Sequence, residues 1–387
     1  MKFHYLKFIS RLILCVVVAS TLSYSQNPTR LFSGGENGYS SYRIPSLIAT
    51  KKGTLLAFCE GRKDGASDAG NIDILLKRST DNGKTWSTQN VIWDDGPNTC
   101  GNPCPVVDEE TGTIWLLLTH NRGDDTENDI IKKTAKGTRT VWVSKSEDDG
   151  LTWSDPEDIT PTTKKPEWGW YATGPGIGIQ IKHGPRKGRL VIPCDFSYDD
   201  PNGKVQGGPY EYGSHAIYSD DHGKTWKLGG VITPKSNECQ VAELADGKGT
   251  LLMNIRSYFG RGVRTQSLSY DGGESWTAPI DAPDLTEPVC QAAMLRYAWP
   301  NPKTPAGILL FLNPANSQKR NNMTLRASYD DGKTWSVVKT IHAGPSSYSS
   351  LARLRNKNIG MLYEAGEKGP AEAIFFDVVP AGAVIRK

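Results

Sequence analysis

The 387-residue sequence is short of what several function classes require. Its six histidines, at positions 4, 120, 183, 215, 222 and 342, lack the spacing of a metal site. It contains no Gly-x-Ser-x-Gly segment and no His-Glu-x-x-His segment, so neither a serine elbow nor a zinc-protease helix is on offer. Long stretches with the 3.6-residue period of a helix are missing. Excess charge is missing too. The formal net charge of +3 resides in the first 25 residues, where Lys2, Lys7 and Arg11 have no acidic counterparts. Without them the 45 bases fall to 42, equal to the 42 acids, and a balanced chain carries no electrostatic footprint for nucleic acid.

There is one long apolar run, Leu12–Leu22, and it follows a basic segment. It is too short for a membrane span and reads as the centre of a leader cleaved after the small residues Ser23 and Ser25. Residues 1–25 are thus expected to be a signal peptide and 26–387 an exported chain, periplasmic or secreted, with no span in the mature form. Cys15 lacks the small residues that precede a lipidated cysteine, which favours a soluble product over an anchored one. Six of the seven cysteines remain: Cys59, Cys100, Cys104, Cys194, Cys239 and Cys290. Cys100 and Cys104 could pair in an oxidising compartment. The alternative is buried free thiols, since a chain of this length can bury a core without staples.

One eight-residue pattern, Ser-x-Asp-x-Gly-x-Thr/Ser-Trp, occurs five times, starting at Ser79, Ser146, Ser219, Ser269 and Ser328. Its Asp and Ser/Thr side chains can cap the N–H groups of a tight turn, its Gly supplies positive φ, and its Trp offers a large apolar plug. Strand-like runs such as Ile72–Leu76 and Val141–Val143 flank it, so each copy reads as a hairpin turn. The copies start 67, 73, 50 and 59 residues apart. That period of about 62, filled with short strands and Gly/Pro turns, predicts an all-β, six-bladed β-propeller whose last blade joins C-terminal strands to the first strand of the mature chain.

Strand order also assigns faces. Asp68 lies one strand before the turn at Ser79, so the two sit at opposite ends of that strand. Arg256 closes the strand Leu251–Ile255, and Arg320 precedes the short strand leading to Ser328. Both therefore fall on the face away from the repeated turns. The aromatic loop Trp168–Tyr171 leads into a Gly-x-Gly-x-Gly run that no helical pattern follows, so it reads as a loop into a strand Ile177–Ile181.

Tyr42-Arg43-Ile44-Pro45, the repeated Asp-box turns, Glu60-Gly61-Arg62 with the following Asp68, Glu238-Cys-Gln-Val-Ala-Glu243, and the downstream Arg256, Arg320 and Tyr348 form an ordered set. This set resembles the exo-sialidases of glycoside hydrolase family 33 over nearly the whole mature chain. The resemblance implies that Arg43, Arg256 and Arg320 grip a substrate carboxylate, for which guanidinium forks are suited. It implies Tyr348 as nucleophile, Glu238 as the base that activates it, and Asp68 as acid/base. Sialidases are the tyrosine exception among glycosidases, because a carboxylate nucleophile would be repelled by the carboxylate on the reacting carbon. Arg62 with Glu60 would lie beside the triad near the sugar's 4-hydroxyl, and Gln291 and Asn102 would line the acetamido or glycerol side. Asp73, inside a strand, is the runner-up to Asp68. Tyr258 and Tyr363 fall off the nucleophile's position. The expected partners are sialylated glycoproteins, glycolipids or oligosaccharides, with no metal or cofactor, and the chain is expected to act as a monomer. Other outcomes on the same scaffold are a trans-sialidase, a preference for a modified nonulosonic acid, or a glycan-binding propeller without catalysis.

Overall fold

The computed structural model describes residues 27–385, so the leader expected at residues 1–25 lies outside the described residues. Strand β1 (Thr29–Ser33) comes first. The next four, β2 (Ser41–Ala49), β3 (Leu55–Arg62), β4 (Ile72–Ser79) and β5 (Asn90–Trp93), pair antiparallel in sequence order. The same order recurs in β6 (Thr99–Val107), β7 (Ile114–Asn121), β8 (Thr140–Ser146) and β9 (Glu157–Asp158).

In the third group, β10 (Tyr171–Thr173) and β11 (Ile179–Gln180) share one edge of β12 (Leu190–Asp199), followed by β13 (Tyr210–Ser219) and β14 (Lys227–Ile232). Pro175, lacking an N–H, falls in the gap between β10 and β11, and the strand expected over 177–181 shrinks to two residues. The fourth group is β15 (Ser236–Glu243), β16 (Leu251–Ser257), β17 (Val263–Ser269) and β18 (Ile280–Thr286). The fifth is β19 (Ala293–Ala298), β20 (Ile308–Pro314), β21 (Asn321–Ser328) and the first half of β22 (Ser336–Arg353). The second half of β22 begins a sixth group with β23 (Ile359–Ala365) and β24 (Ala373–Val379), and β1 pairs with β24 to complete it. Only short helices interrupt the strands, among them α1 (Glu127–Ile131) and α2 (Thr160–Thr163). Among the described residues no helix is long and apolar enough to cross a membrane.

The repeated turns share one set of hydrogen bonds. At the first, Ser79 Oγ donates to Asp81 and accepts from Gly83 N at 2.9 Å, while Asp81 accepts from the N–H and hydroxyl of Thr85. The Thr85 N–H and hydroxyl bonds pull the Asp81 carboxyl down to about 2. Equivalent contacts form around Asp148, Asp221, Asp271 and Asp330.

The turns also tie each strand group to the one before it. Trp86 meets Phe376 edge-on at 5.0 Å, Trp153 meets Phe58 at 5.6 Å, and Trp226 meets Trp115 at 6.4 Å. The tryptophans therefore plug the seam between neighbouring sheets instead of lying only beneath their own turns. Gly83 comes so close that a Cβ there would lie 2.1 Å from the Phe376 ring.

The fourth residue of the pattern is the second tie. Asn82, Asp149, His222 and Asp331 hold φ of 61°, 69°, 62° and 60°. Each reaches a turn between the first two strands of the preceding group. Asp149 accepts from the Thr50 and Thr54 hydroxyls at 2.5 Å, His222 meets Asp108 at 2.9 Å, Asp331 accepts from Ala245 N at 3.1 Å, and Asn82 accepts from Asn356 N.

Among the described residues all six cysteines are buried free thiols, Cys100 and Cys104 included. Asp149 should be the strongest single latch, because it also faces Arg78 at 3.5 Å. Asp149→Ala should cost about 2–3 kcal/mol in urea unfolding at pH 7, since it leaves two hydroxyls without their acceptor and removes the charge facing Arg78. Exposed Asp155→Ala should stay within about 0.5 kcal/mol of the parent.

Candidate active site

The first strand of a group is its innermost, and four of these strands break register on the face away from the repeated turns. The ladder skips from Arg43 to Ser46 in β2, from Gly101 to Cys104 in β6, from Ser236 to Cys239 in β15, and from Ser346 to Ser349 in β22. A β-bulge frees residues from pairing and re-aims their side chains. Arg43, Asn102, Glu238 and Tyr348 lie at or within these skips. Ile44 shows the local strain, with φ of 57° on a β-branched residue packed against Tyr348 and Cys290.

Buried acids hold the bulges. Glu364 is fully buried and accepts from Arg43 Nε at 2.8 Å, Ile44 N at 2.9 Å and Tyr348 N at 3.2 Å, tying two bulges together. Glu60 accepts from Asn102 N at 2.8 Å and from Arg62 Nη2 at 2.6 Å. Asn237 donates to Asp195 Oδ1 at 3.2 Å.

A cavity of about 270 Å³ opens between these strands. Its lining includes Arg43, Glu60, Arg62, Asp68, Asn102, Glu238, Arg256, Arg320 and Tyr348, nine of the ten residues expected at the site. Tyr348 OH donates to Glu238 Oε1 at 2.5 Å. Arg256 Nη1 lies 2.6 Å from Glu238 Oε2 and 3.4 Å from the Tyr348 oxygen, and its Nη2 donates to Tyr258 OH at 2.8 Å. The guanidinium carbons of Arg43 and Arg320 stand 5.0 Å and 5.8 Å from the centre of the Tyr348 ring. Tyr348 itself belongs to the long strand β22, not to a loop.

Burial and the Glu238 carboxylate push the Tyr348 phenol well above its usual range, against the pull of Arg256 and Arg320. Burial works against the charge on Arg43, but Glu364, Tyr348 and Asp68 more than restore it. Asp68 is the accessible member, with 54 % of its side chain exposed. Burial of its surroundings would raise it, but Arg62 at 2.7 Å and Arg43 at 3.9 Å hold it below the usual carboxylate range.

The tenth residue is elsewhere. Gln291 lies outside the cavity lining, and its amide binds Pro175 O, Ser349 O and Ser349 N at 2.9–3.0 Å. It supports the residue after Tyr348 and has no free group for a ligand. Asn102 does line the cavity, with its side-chain oxygen committed to Arg139 and Thr119. Asp73 faces Tyr39 and Lys63 outside the cavity, and Tyr363 is in the core. Of the aromatic loop, Trp170 lines the cavity, whereas Trp168 stacks on Phe196 at 3.7 Å.

Sequence reasoning missed Glu127, Arg139, Asp195, Tyr212 and Glu364. A usable signal existed for two of them. Asp195 and Glu364 are lone acids inside otherwise apolar strand runs, where a charge needs a reason. Arg139 stacks 4.0 Å from the Trp170 ring, and Glu127 accepts from Tyr212 OH at 2.6 Å. Among the described residues, no group of three or more His, Cys, Asp or Glu is arranged to hold a metal ion.

Comparison with known proteins finds relatives of this chain in sequence and in fold. The family described as BNR repeat-like domain matches residues 53–363. A sialidase from Micromonospora viridifaciens is 35 % identical over 86 % of this chain, which spans about half (51 %) of that protein's length. An exo-alpha-sialidase from Arthroderma benhamiae is 31 % identical over 88 % of this chain and 81 % of its own. A solved structure, the Hadza microbial sialidase Hz136, superposes with a TM-score of 0.79 at 31 % identity, covering 92 % of this chain and 69 % of that one.

Asp195 yields the prediction. Burial, with Glu238 and Glu127 nearby, drives its carboxyl well above the usual range, while Arg256 and Arg139 oppose the shift. The native chain then keeps a proton that the unfolded chain releases above about pH 4, so wild-type stability falls as pH rises through that window. Asp195→Asn, which cannot titrate, should gain on wild type by about 1.4 kcal/mol per pH unit in denaturant unfolding between about pH 4 and the raised native value. A difference that stays flat with pH would show Asp195 ionised in the native state.

Proposed function

This chain belongs to the sialidase family, and on that premise we propose that it is a retaining exo-α-sialidase. It would remove terminal sialic acid from glycoproteins, glycolipids or oligosaccharides through a sialyl-tyrosine intermediate. The observation that carries the reading is the 2.5 Å hydrogen bond from Tyr348 to Glu238, set among the guanidinium groups of Arg43, Arg256 and Arg320. The pairing order of the strands supports reading the six groups as six blades, with β1 closing the last. Residues 26–387 form the catalytic domain on this reading, and residues 1–25 an export leader.

The chemistry follows from charge. The substrate carboxylate binds the three arginines, which stay protonated and offer paired donors. This places the anomeric carbon over Tyr348. Glu238 accepts the phenol proton as the tyrosine oxygen bonds to that carbon, and the glycosidic bond breaks. Asp68, at the open end of the cavity, donates a proton to the leaving oxygen. A carboxyl held ionised by Arg62 and Arg43 needs help to carry that proton. The bound substrate carboxylate supplies it by neutralising part of the arginine field. In the second half Asp68 takes a proton from water, water displaces the phenolate from the opposite face, and Glu238 returns its proton to Tyr348. Two inversions give net retention.

Tyr348→Phe tests the reading on an aryl α-sialoside whose fluorophore reports turnover. The variant should keep its melting temperature and lose about a thousandfold or more in kcat. A folded wild type without turnover would refute the hydrolase reading, and a phenylalanine variant within tenfold of wild type (about 1.4 kcal/mol) would refute the nucleophile.

A further inference from the structure

Residues 173–177, which carry the first two glycines of the Gly-x-Gly-x-Gly run, belong to the third strand group yet bond to all the others. Thr173 Oγ1 donates to Asn102 O of the second group at 2.6 Å. Ser46 Oγ of the first group donates to Gly176 O at 2.7 Å. Pro175 O accepts twice, from Gln240 Nε2 of the fourth group at 3.2 Å and from Gln291 Nε2, leading into the fifth, at 3.0 Å. Gln291 carries the connection to the sixth group, donating to Ser349 O and accepting from Ser349 N, both at 2.9 Å. A segment at the edge of a ring meets only its neighbours, so one that reaches every group lies across the middle.

These bonds fall on the four skips in pairing. Asn102 lies within the skip of β6. Ser46 and Ser349 are where β2 and β22 resume pairing, and Gln240 follows Cys239, where β15 resumes. Ser349 adjoins Tyr348, and Gln240 is the second residue after Glu238. Glycine lets the backbone through, because Gly174 and Gly176 hold φ of 77° and 130° and a Cβ on Gly176 would stand 2.5 Å from the Gln240 amide. The carbonyl of Pro175 has two lone pairs for the two amides. Cavities open on both sides. Ala172 lines the one described above, and Ile177 and Gly178 line another of about 480 Å³ at the far end of the same inner strands. With space on either side, the hydrogen bonds set where the segment stands. Neither Gln240 nor Gln291 lines the cavity that holds Tyr348. We propose that residues 173–177 are a keystone that fixes the separation of Tyr348 from Glu238, with Gln240 and Gln291 as positioning residues that act through the carbonyl of Pro175. Its kinetic consequence rests on the sialidase reading.

The test compares wild type, Gln240→Met, Gln291→Met and the double variant on an aryl α-sialoside. Gln180→Met is the control, since that amide also bonds backbone and side chain but on the other side of the segment, to Asp108, Gly188 and Glu109. Each single variant should lose about ten- to a hundredfold in kcat and keep KM within about twofold. The double variant should fall no more than about threefold below the weaker single, because both amides end on one carbonyl. The control should lose Tm and keep kcat within about twofold. Single variants within about threefold of wild-type kcat, losses that multiply in the double, an equal kcat loss in the control, or failure of both single variants to fold overturns the assignment. A wild type without turnover defeats the hydrolase reading instead. A crystal structure of Gln291→Met then decides the keystone separately. The Tyr348 and Glu238 oxygens, 2.5 Å apart in the parent, should separate beyond hydrogen-bond reach at about 3.5 Å, and an unchanged separation overturns it.

Discussion

The pocket depends on interrupted backbone pairing. A regular inner strand would alternate its side chains between the two faces of its own sheet, and neither direction leads to the cavity. Four inner strands each skip two residues at the same level, and those skips present Arg43, Asn102, Glu238 and Tyr348. Breaking a ladder leaves N–H groups without carbonyl partners. Here carboxylates from neighbouring strands take them up. Glu364 accepts Ile44 N and Tyr348 N, and Glu60 accepts Asn102 N. The acids that compensate for lost sheet pairing thus also fix where the cations and the phenol stand. Glu364 links Arg43 to Tyr348 rigidly, and Glu60 does the same for Arg62.

The two faces divide the work. On one, five Ser/Asp turns cap themselves, and four of them reach the preceding strand group through a left-handed fourth residue. Their hydrogen bonds are local and largely satisfied. The opposite face concentrates what is costly: buried arginines, the buried carboxyl of Asp195 pushed above its usual range, and left-handed Ile44. Such a face is tolerable only because the other is stiff, so strain is stored where the chemistry needs it.

Much of this was legible in the residues. The repeated turn announced the strand groups, and the strand count between each turn and Asp68, Arg256 or Arg320 assigned those residues to the far face. The expected pairing of the first strand with the last also holds, through Phe32 and Ile374. What could not be read was register. Tyr348 sits in the serine-rich stretch 346–350, which carries no alternating apolar pattern, yet Ser336–Arg353 is one strand serving two sheets. Gln291 reads from the sequence as a cavity residue, yet its amide bonds the backbone of Ser349, where pairing resumes after the skip in β22. Glu364 and Asp195 carry no motif. Their importance comes from contacts with residues 321 and 42 positions away.

The central claim is that the phenol at the β22 bulge bonds covalently to the sugar. It is tested most directly by incubating the protein with a 2,3-difluoro sialic acid, whose second step is slow, and mapping the modified peptide by mass spectrometry. The account predicts one sialyl adduct per chain, located on Tyr348. Turnover without any adduct, or an adduct on Asp68 or Glu238, would contradict it.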